Sequence, residues 1–136
     1  MWSPSTATMR FDGDIDAPFR HLLAVAEREI AAARAELPAE IRAGLERVAL
    51  VLEEFPSPEH LASGVEADQL GLFDGPDALD AGSPLVPTIT IWLGNLWEMC
   101  GADEAAYREE VRVTFLHEIG HYIGFGESDL EDRGLL

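Results

Sequence analysis

The sequence predicts a single domain that combines helices with a few strands. Apolar residues recur at helical spacing over residues 17–37, and short apolar or β-branched runs of strand length occupy residues 48–52 and 88–93. A second helix is predicted from Asp103 to about Ile123, and it is apolar nearly all round from Val111 onward. With 136 residues the chain can build one hydrophobic core but not two, so residues 17–136 are predicted as one domain.

Proline and glycine mark the boundaries of the predicted elements. Residues 1–16 are rich in Ser, Thr, Pro and Asp and predict a flexible N-terminal tail. The helix over 17–37 has Pro18 near its start and Pro38 just past its end, and residues 39–45 add a helical turn. Pro56 stops the strand at 48–52, and the strand at 88–93 lies between Pro87 and Gly94.

The segments around the second strand have weaker patterns. Residues 57–87 form a long region rich in Gly, Pro and Asp, in which residues 70–73 are the one further strand predicted. An apolar turn is expected around Leu96, Trp97 and Met99. Asp103 is a suitable N-cap for the final helix, and Gly124 is placed to end it.

Charge and cysteine content exclude several classes of function. The formal net charge is −17, from 26 acidic residues against nine arginines, which argues against nucleic-acid and anionic-membrane partners. Cys100 is the single cysteine, so a metal would be held by His, Asp or Glu. With no evident signal segment and no apolar run of membrane-spanning length, the expected location is the cytoplasm.

The final helix carries the motif His117-Glu118-Ile119-Gly120-His121. Two histidines four residues apart project from the same helix face and can bind one ion, while the intervening glutamate flanks that ion. This is the pattern of metal-assisted hydrolysis, in which the carboxylate takes the proton of a metal-activated water. The motif predicts a divalent-metal site, with Zn²⁺ first and another divalent metal possible, and Glu118 as general base.

A hydrolytic zinc site normally has a third protein ligand. Only fifteen residues follow His121, so that ligand is expected nearby, in the acidic segment after Gly124. Glu127, ten residues after His117, is the first choice and Asp129 the second. Glu131 and Asp132 fit an ordinary acidic surface.

Other chemically capable residues have plainer explanations. Trp92 and Trp97 could line a pocket, but core positions are favoured because aromatic residues dominate small cores. His21 and His60 are isolated in the sequence and expected to be partly exposed. Cys100 is expected to be a buried small hydrophobe rather than a nucleophile or a ligand.

The chain resembles the minimal zincin-like domains, small bacterial proteins described as possible zinc metallopeptidases. The resemblance runs from residue 19 to residue 136, and its most specific part is HEIGHYIGFGESDLEDRGL at residues 117–135. Weaker marks are the helix end at 36–38, the strand at 48–54, LGLFDG at 70–75 and the ITIW strand at 89–92.

The resemblance implies an α+β fold, with a small mixed sheet packed beside an N-terminal helix and the buried C-terminal motif helix. It implies metal binding by His117 and His121, a general base at Glu118, and Glu127 at the acidic position that follows the turn glycine. By the same resemblance, residues 88–93 are expected to be the edge strand that pairs with an extended substrate.

Two functions are compatible with these observations. The first is a zinc-dependent peptidase acting on an unidentified peptide or protein. The second is a non-catalytic metal-binding or partner-binding domain that retains the fold, for which the small size of the chain is the motive. The peptidase is favoured because a buried helix has no structural need for glutamate at position 118. The sequence does not indicate the oligomeric state.

Overall fold

A computed structural model of the chain describes residues 7–9, 17–78 and 82–123. Five helices lie within this part: α1 (Ala17–Ala35), α2 (Ala39–Gly44), α3 (Pro58–Ala62), α4 (Leu93–Met99) and α5 (Glu104–Ile123). A short 3₁₀ turn, Leu45–Arg47, follows α2. The four strands are β1 (Ala7–Met9), β2 (Ala49–Glu53), β3 (Gly71–Asp74) and β4 (Thr88–Trp92).

The strands form one mixed sheet in the order β1-β2-β4-β3. β1 and β4 both run parallel to β2, with Leu50 opposite Ile89, whereas β3 runs antiparallel to β4, with Gly71 opposite Ile91. The predicted α+β fold with a small mixed sheet is therefore confirmed. β1 lies within the segment predicted to be a flexible tail, so three residues of that segment belong to the sheet.

The core lies where the long helices meet each other and the sheet. α5 packs against α1, α4, β3 and β4, so it is surrounded by other elements along much of its length. The apolar residues of its C-terminal half, from Val111 onward, therefore have neighbours on several sides, which explains why that half has no single apolar stripe. Tyr107 is fully buried, and its hydroxyl donates to the Leu22 carbonyl at 2.9 Å, joining α5 to α1.

The expectation of a turn around residues 96–99 was wrong, because these residues belong to α4. The helix starts directly after β4, and Leu93 and Leu96 are fully buried on its inner face. Gly94 permits this tight start, since a Cβ there would lie 2.7 Å from the Glu54 carbonyl oxygen and from the Phe55 ring. The helix is only seven residues long, too short for a clear periodic signal.

α4 also fixes the segment that enters β3. The Asn95 side-chain amide donates to the carbonyls of Ala67 and Gln69, at 2.8 Å each. The region predicted to be irregular, 57–87, thus contains α3 and β3. Its residues just before β3 are hydrogen-bonded to α4 through Asn95. No helix in the described part of the chain is both long and apolar enough to cross a bilayer.

Candidate metal centre

α5 is a continuous helix whose start is stabilised by Asp103. The Asp103 carboxylate accepts from the backbone N–H groups of Ala105 and Ala106 at 3.0 and 3.2 Å, as predicted for an N-cap. Twenty residues of helix then carry the motif to its C-terminal end, at Ile123. The last turns hold the side chains of interest and lie beside β3.

The two motif histidines converge on one point. The Nε2 atoms of His117 and His121 lie 3.0 Å apart, and the rings are nearly perpendicular, with centroids 4.6 Å apart. Two imidazole nitrogens on one tetrahedral zinc ion lie roughly 3.4 Å apart, given Zn–N distances of about 2.0–2.1 Å. The observed separation is close to that value, so the two side chains fit a shared metal ion with little rearrangement.

Glu118 lies on the inner side of the same helix, between α5 and the sheet. Only 7% of the residue is exposed, and burial raises the pKa of its carboxyl group. His121 and a hydrogen bond from the backbone N–H of Phe73 oppose that rise. A buried carboxyl group beside two convergent imidazoles is poised to exchange protons.

β3 is the sheet edge that lies at this site. The backbone N–H of Trp92 donates to the Leu70 carbonyl at 2.9 Å. In an antiparallel pair every second residue of a strand hydrogen-bonds to its neighbour, so Leu70 and Leu72 face β4 with their backbone groups. The backbone groups of Gly71 and Phe73 consequently point away from β4, toward the outer edge of the sheet. The hydrogen bond from Phe73 to Glu118 agrees with this geometry.

The prediction that residues 88–93 form the substrate-binding edge was wrong. β4 lies between β2 and β3, and its backbone groups are used on both sides. The composition of β3 and of β4 is typical of strands, but composition does not determine which strand of a sheet has a neighbour on both sides. The edge beside the motif is β3.

Gly71 allows β3 to approach α5 closely. A Cβ at this position would lie 2.9 Å from Thr114 Cγ2 and 3.3 Å from Glu118 Oε2. The first distance is shorter than real Cβ contacts, so any larger residue would push the strand and the helix apart. Phe73, two residues along the same strand, packs its ring against Tyr122 with centroids 5.8 Å apart.

A cleft of about 510 Å³ opens beside the two histidines. That volume is in the range of small-ligand and peptide side-chain sites. The Gln69 side-chain amide donates to the Gly71 carbonyl at 2.9 Å, and this hydrogen bond joins two residues that line the cleft. The cleft is lined by Gln69, Gly71, Leu72, Phe73, Gly75, Asp77, His117, Glu118 and His121.

The predicted third ligand, Glu127 or Asp129, lies outside the described residues, as does Gly124. Within the described ranges, no three His, Cys, Asp or Glu side chains come together as a metal-binding group. The two imidazoles therefore fit zinc in chemistry and spacing, and the third ligand stays a prediction.

Of the aromatic residues that could have lined the pocket, both tryptophans belong to the core. Trp92 is fully buried, and its indole N–H donates to Glu53 at 2.9 Å, while Trp97 packs against the core and Tyr107. Cys100 is half-buried beside the same cluster, and burial raises the pKa of its thiol.

The two remaining histidines lie elsewhere. His21 is an exposed side chain on α1 that contacts Glu104 at the start of α5. His60 is mostly buried: its ring packs edge-on against Trp92, and its Nδ1 lies 2.9 Å from the Ser57 hydroxyl. Both side chains thus serve contacts away from the cleft.

Sequence reasoning did not identify Gln69, Gly71 or Asp77 as site residues. All three lie in the region that was rich in turn-forming residues, and no local period distinguishes them. Gly71 had one available signal, since a glycine inside a strand pattern indicates a close backbone approach.

Comparison with known protein families gives a match to this chain. A family model described as zincin-like metallopeptidase matches residues 45–135, about two thirds of the chain. The match includes β2, β3, β4, α4 and α5, and therefore the histidine pair and the edge strand beside it. A search of the curated proteins finds no match.

Proposed function

The chain belongs to the zincin-like metallopeptidase family, and on that premise we propose that it is a zinc-dependent peptidase. The proposal assigns metal binding to His117 and His121 and the role of general base to Glu118. One observation carries it: the two Nε2 atoms lie 3.0 Å apart, with a buried carboxyl group on the intervening residue.

The proposed ion would be held by His117, His121 and an acidic residue after the helix, Glu127 or Asp129. When bound, zinc supplies Lewis-acid activation of the water and of the scissile carbonyl. Two imidazoles leave space for such a third ligand and for an open position, which distinguishes a catalytic from a closed structural site.

Glu118 would accept the proton of the attacking water and pass it to the leaving amine. Burial favours the protonated state of its carboxyl group, while the neighbouring His121 and the Phe73 N–H favour the ionised state. These opposing influences suit a group that must both take and release a proton. The Phe73 N–H also fixes the orientation of the carboxylate toward the cleft.

The outer edge of β3 would hold the substrate in an extended conformation. A peptide lying along this edge would pass beside Glu118 and would pair with the Gly71 N–H and the Phe73 carbonyl, because the Phe73 N–H binds Glu118 and the Gly71 carbonyl binds the Gln69 side chain. Main-chain pairing of this kind supplies affinity that does not depend on sequence and places a peptide carbonyl at a fixed distance from the base.

The test is the Glu118→Gln variant, measured together with the wild type for zinc content and for cleavage of a proteome-derived peptide library. We expect equal zinc content and a loss of cleavage of at least about 10²-fold, because the amide cannot accept the proton. Glu110→Gln is the matched control, since it makes the same change on α5 outside the cleft.

Equal cleavage by wild type and Glu118→Gln would refute the proposed role of Glu118. Retained zinc with no cleavage by the wild type would instead favour the non-catalytic, metal-binding alternative.

A further inference from the structure

The outer edge of β3 already uses two of its backbone groups beside the proposed base. The Phe73 N–H donates to Glu118, and the Gly71 carbonyl accepts from the Gln69 side-chain amide at 2.9 Å. The first contact belongs to the proposed catalytic group. The second involves a residue to which the proposed function gives no role, although Gln69 lines the same cleft.

Gln69 is held by hydrogen bonds at its backbone and at its side chain. Its backbone carbonyl accepts from the buried Asn95 amide at 2.8 Å, and its backbone N–H donates to the Glu66 carbonyl at 3.2 Å. At the side chain, Oε1 accepts from the Glu66 N–H at 3.3 Å, while Nε2 donates to Gly71. Because a backbone N–H only donates and a carbonyl only accepts, these two partners fix which end of the amide faces Gly71. The group that covers the Gly71 carbonyl is therefore a donor.

An extended peptide on this edge would bring one of its own N–H groups to the same point. In a β-sheet the carbonyl of an edge residue accepts from one backbone N–H of the next strand, whether the two strands run parallel or antiparallel. At Gly71 the Gln69 amide occupies the position of that N–H. An amide nitrogen carries two hydrogens, so a peptide N–H arriving beside it would meet another donor instead of a free acceptor.

We propose that Gln69 is a specificity-determining residue: it supplies the hydrogen bond to the Gly71 carbonyl, so that the substrate residue facing Gly71 requires no backbone N–H. Proline is the natural residue of this kind. The inference rests on the proposed function for the placement of a peptide along β3. Two residues along the strand, no described residue donates to the Phe73 carbonyl, so the peptide N–H that reaches it contributes to binding.

The test replaces single backbone N–H groups of a bound peptide by ester oxygens, which removes the donor without adding bulk. The probe is the decapeptide of the proteome-derived library that binds zinc-loaded Glu118→Gln protein most tightly, so its choice does not depend on cleavage. At the position facing the Phe73 carbonyl, the ester should weaken binding by about tenfold, the usual contribution of one such hydrogen bond. Two residues away, at the position facing Gly71, an ester or a proline should change the Kd by less than about twofold.

Adding Gln69→Ala to the Glu118→Gln protein removes the covering amide. The ester or proline facing Gly71 should then weaken binding by about tenfold as well, because the Gly71 carbonyl would depend on the peptide for its donor. Asp68→Ala is the matched control, since it truncates the neighbouring exposed side chain, which does not line the cleft. It should keep the pattern seen with Gln69 in place.

Loss of affinity for either replacement facing Gly71 while Gln69 is present would show that the peptide displaces the amide, and would overturn the inference without any change at position 69. A pattern that Gln69→Ala leaves unaltered would overturn it too.

Cleavage of the unmodified decapeptide by the wild type separates this inference from the proposed function. Binding that follows the expected pattern without any cleavage would refute only the peptidase activity. Cleavage by a protein that requires both N–H groups would overturn only the role of Gln69.

Discussion

At the residue scale, Glu118 is a residue whose proposed role as general base requires a carboxyl group at a buried position where that group lowers the stability of the fold. Its carboxyl group is buried in a position where an apolar or neutral residue would pack at lower cost. Burial raises its pKa above the ordinary value of 4.5, so the folded protein binds a proton at this site more tightly than the unfolded chain does. In the metal-free protein, the stability that this group contributes is present below the unfolded pKa and is lost as the pH rises through the folded pKa.

Glu118→Gln should therefore stabilise the metal-free protein at pH 7, by roughly 1 kcal/mol, or a few °C in Tm. The gain should shrink as the pH falls toward 4.5, because the wild-type carboxyl group then becomes protonated and neutral as well. Thermal unfolding of chelator-treated wild type and variant at pH 4.5 and pH 7 measures the effect. A variant that is less stable than the wild type at pH 7 would show that ionised Glu118 is stabilised by its surroundings.

A second buried carboxylate serves a different purpose. Glu53, at the end of β2, is 2% exposed and accepts from the indole of Trp92 on the neighbouring strand. His60 Nδ1 lies 3.7 Å from the same carboxylate oxygen, so this group joins β2, β4 and α3. Burial alone does not mark a carboxylate as catalytic. The neighbouring residues distinguish Glu118, which faces a cleft, from Glu53, which holds elements together.

At the scale of elements, the close contact of β3 with α5 positions the candidate site. The contact depends on the missing side chain of Gly71, because Thr114 occupies the space that a Cβ would need. The same contact brings the Phe73 N–H to Glu118. A small displacement of the strand would change both the orientation of the base and the edge along which a substrate is proposed to lie.

Gly71→Ala should destabilise the protein by about 1–3 kcal/mol, the usual cost of overpacking, and lower peptide cleavage by about tenfold or more in the folded fraction. Urea unfolding and cleavage assays at a temperature well below the unfolding transition measure the two effects separately. Gly44→Ala is the control, since nothing lies within 4 Å of the added methyl group. A Gly71→Ala protein with wild-type stability and activity would contradict the close-packing argument.

At the scale of the whole molecule, sequence patterns predicted the elements better than their arrangement. The helical period of α1, the apolar helical pattern of α5 between Asp103 and Gly124, the apolar run of β2 and the β-branched run of β4 are local properties, so these elements were predicted within a few residues. The order β1-β2-β4-β3 depends on contacts between distant segments, and strand composition does not encode it. The assignment of the substrate edge to residues 88–93 failed for that reason.

In the candidate site, too, some residues could be predicted from local sequence patterns and others depend on contacts between distant segments. His117, Glu118 and His121 lie on one helix, where a spacing of four residues determines which side chains converge. Gln69, Gly71 and Asp77 reach the cleft only through the pairing of β3 with β4 and the turn at Gly75. Their contribution could not be predicted without the fold.

Metal binding should also stabilise the whole molecule, because an ion that binds the folded state and not the unfolded chain shifts the unfolding equilibrium. At a free zinc concentration about 100 times the Kd, the expected gain is about 2.7 kcal/mol, which raises Tm by several °C. The two imidazoles already converge in the folded chain, so little of the binding free energy is spent on moving them.

The measurement is the Tm of chelator-treated protein before and after addition of zinc, for the wild type, His117→Ala and His21→Ala. His21 is an exposed histidine on α1 that does not line the cleft, so its removal tests for nonspecific binding to the acidic surface. We expect zinc to raise the Tm of the wild type and of His21→Ala by similar amounts, and to have little effect on His117→Ala. An equal rise in all three proteins would place the bound zinc elsewhere, because the convergence of His117 and His121 cannot account for binding that survives the loss of one of them.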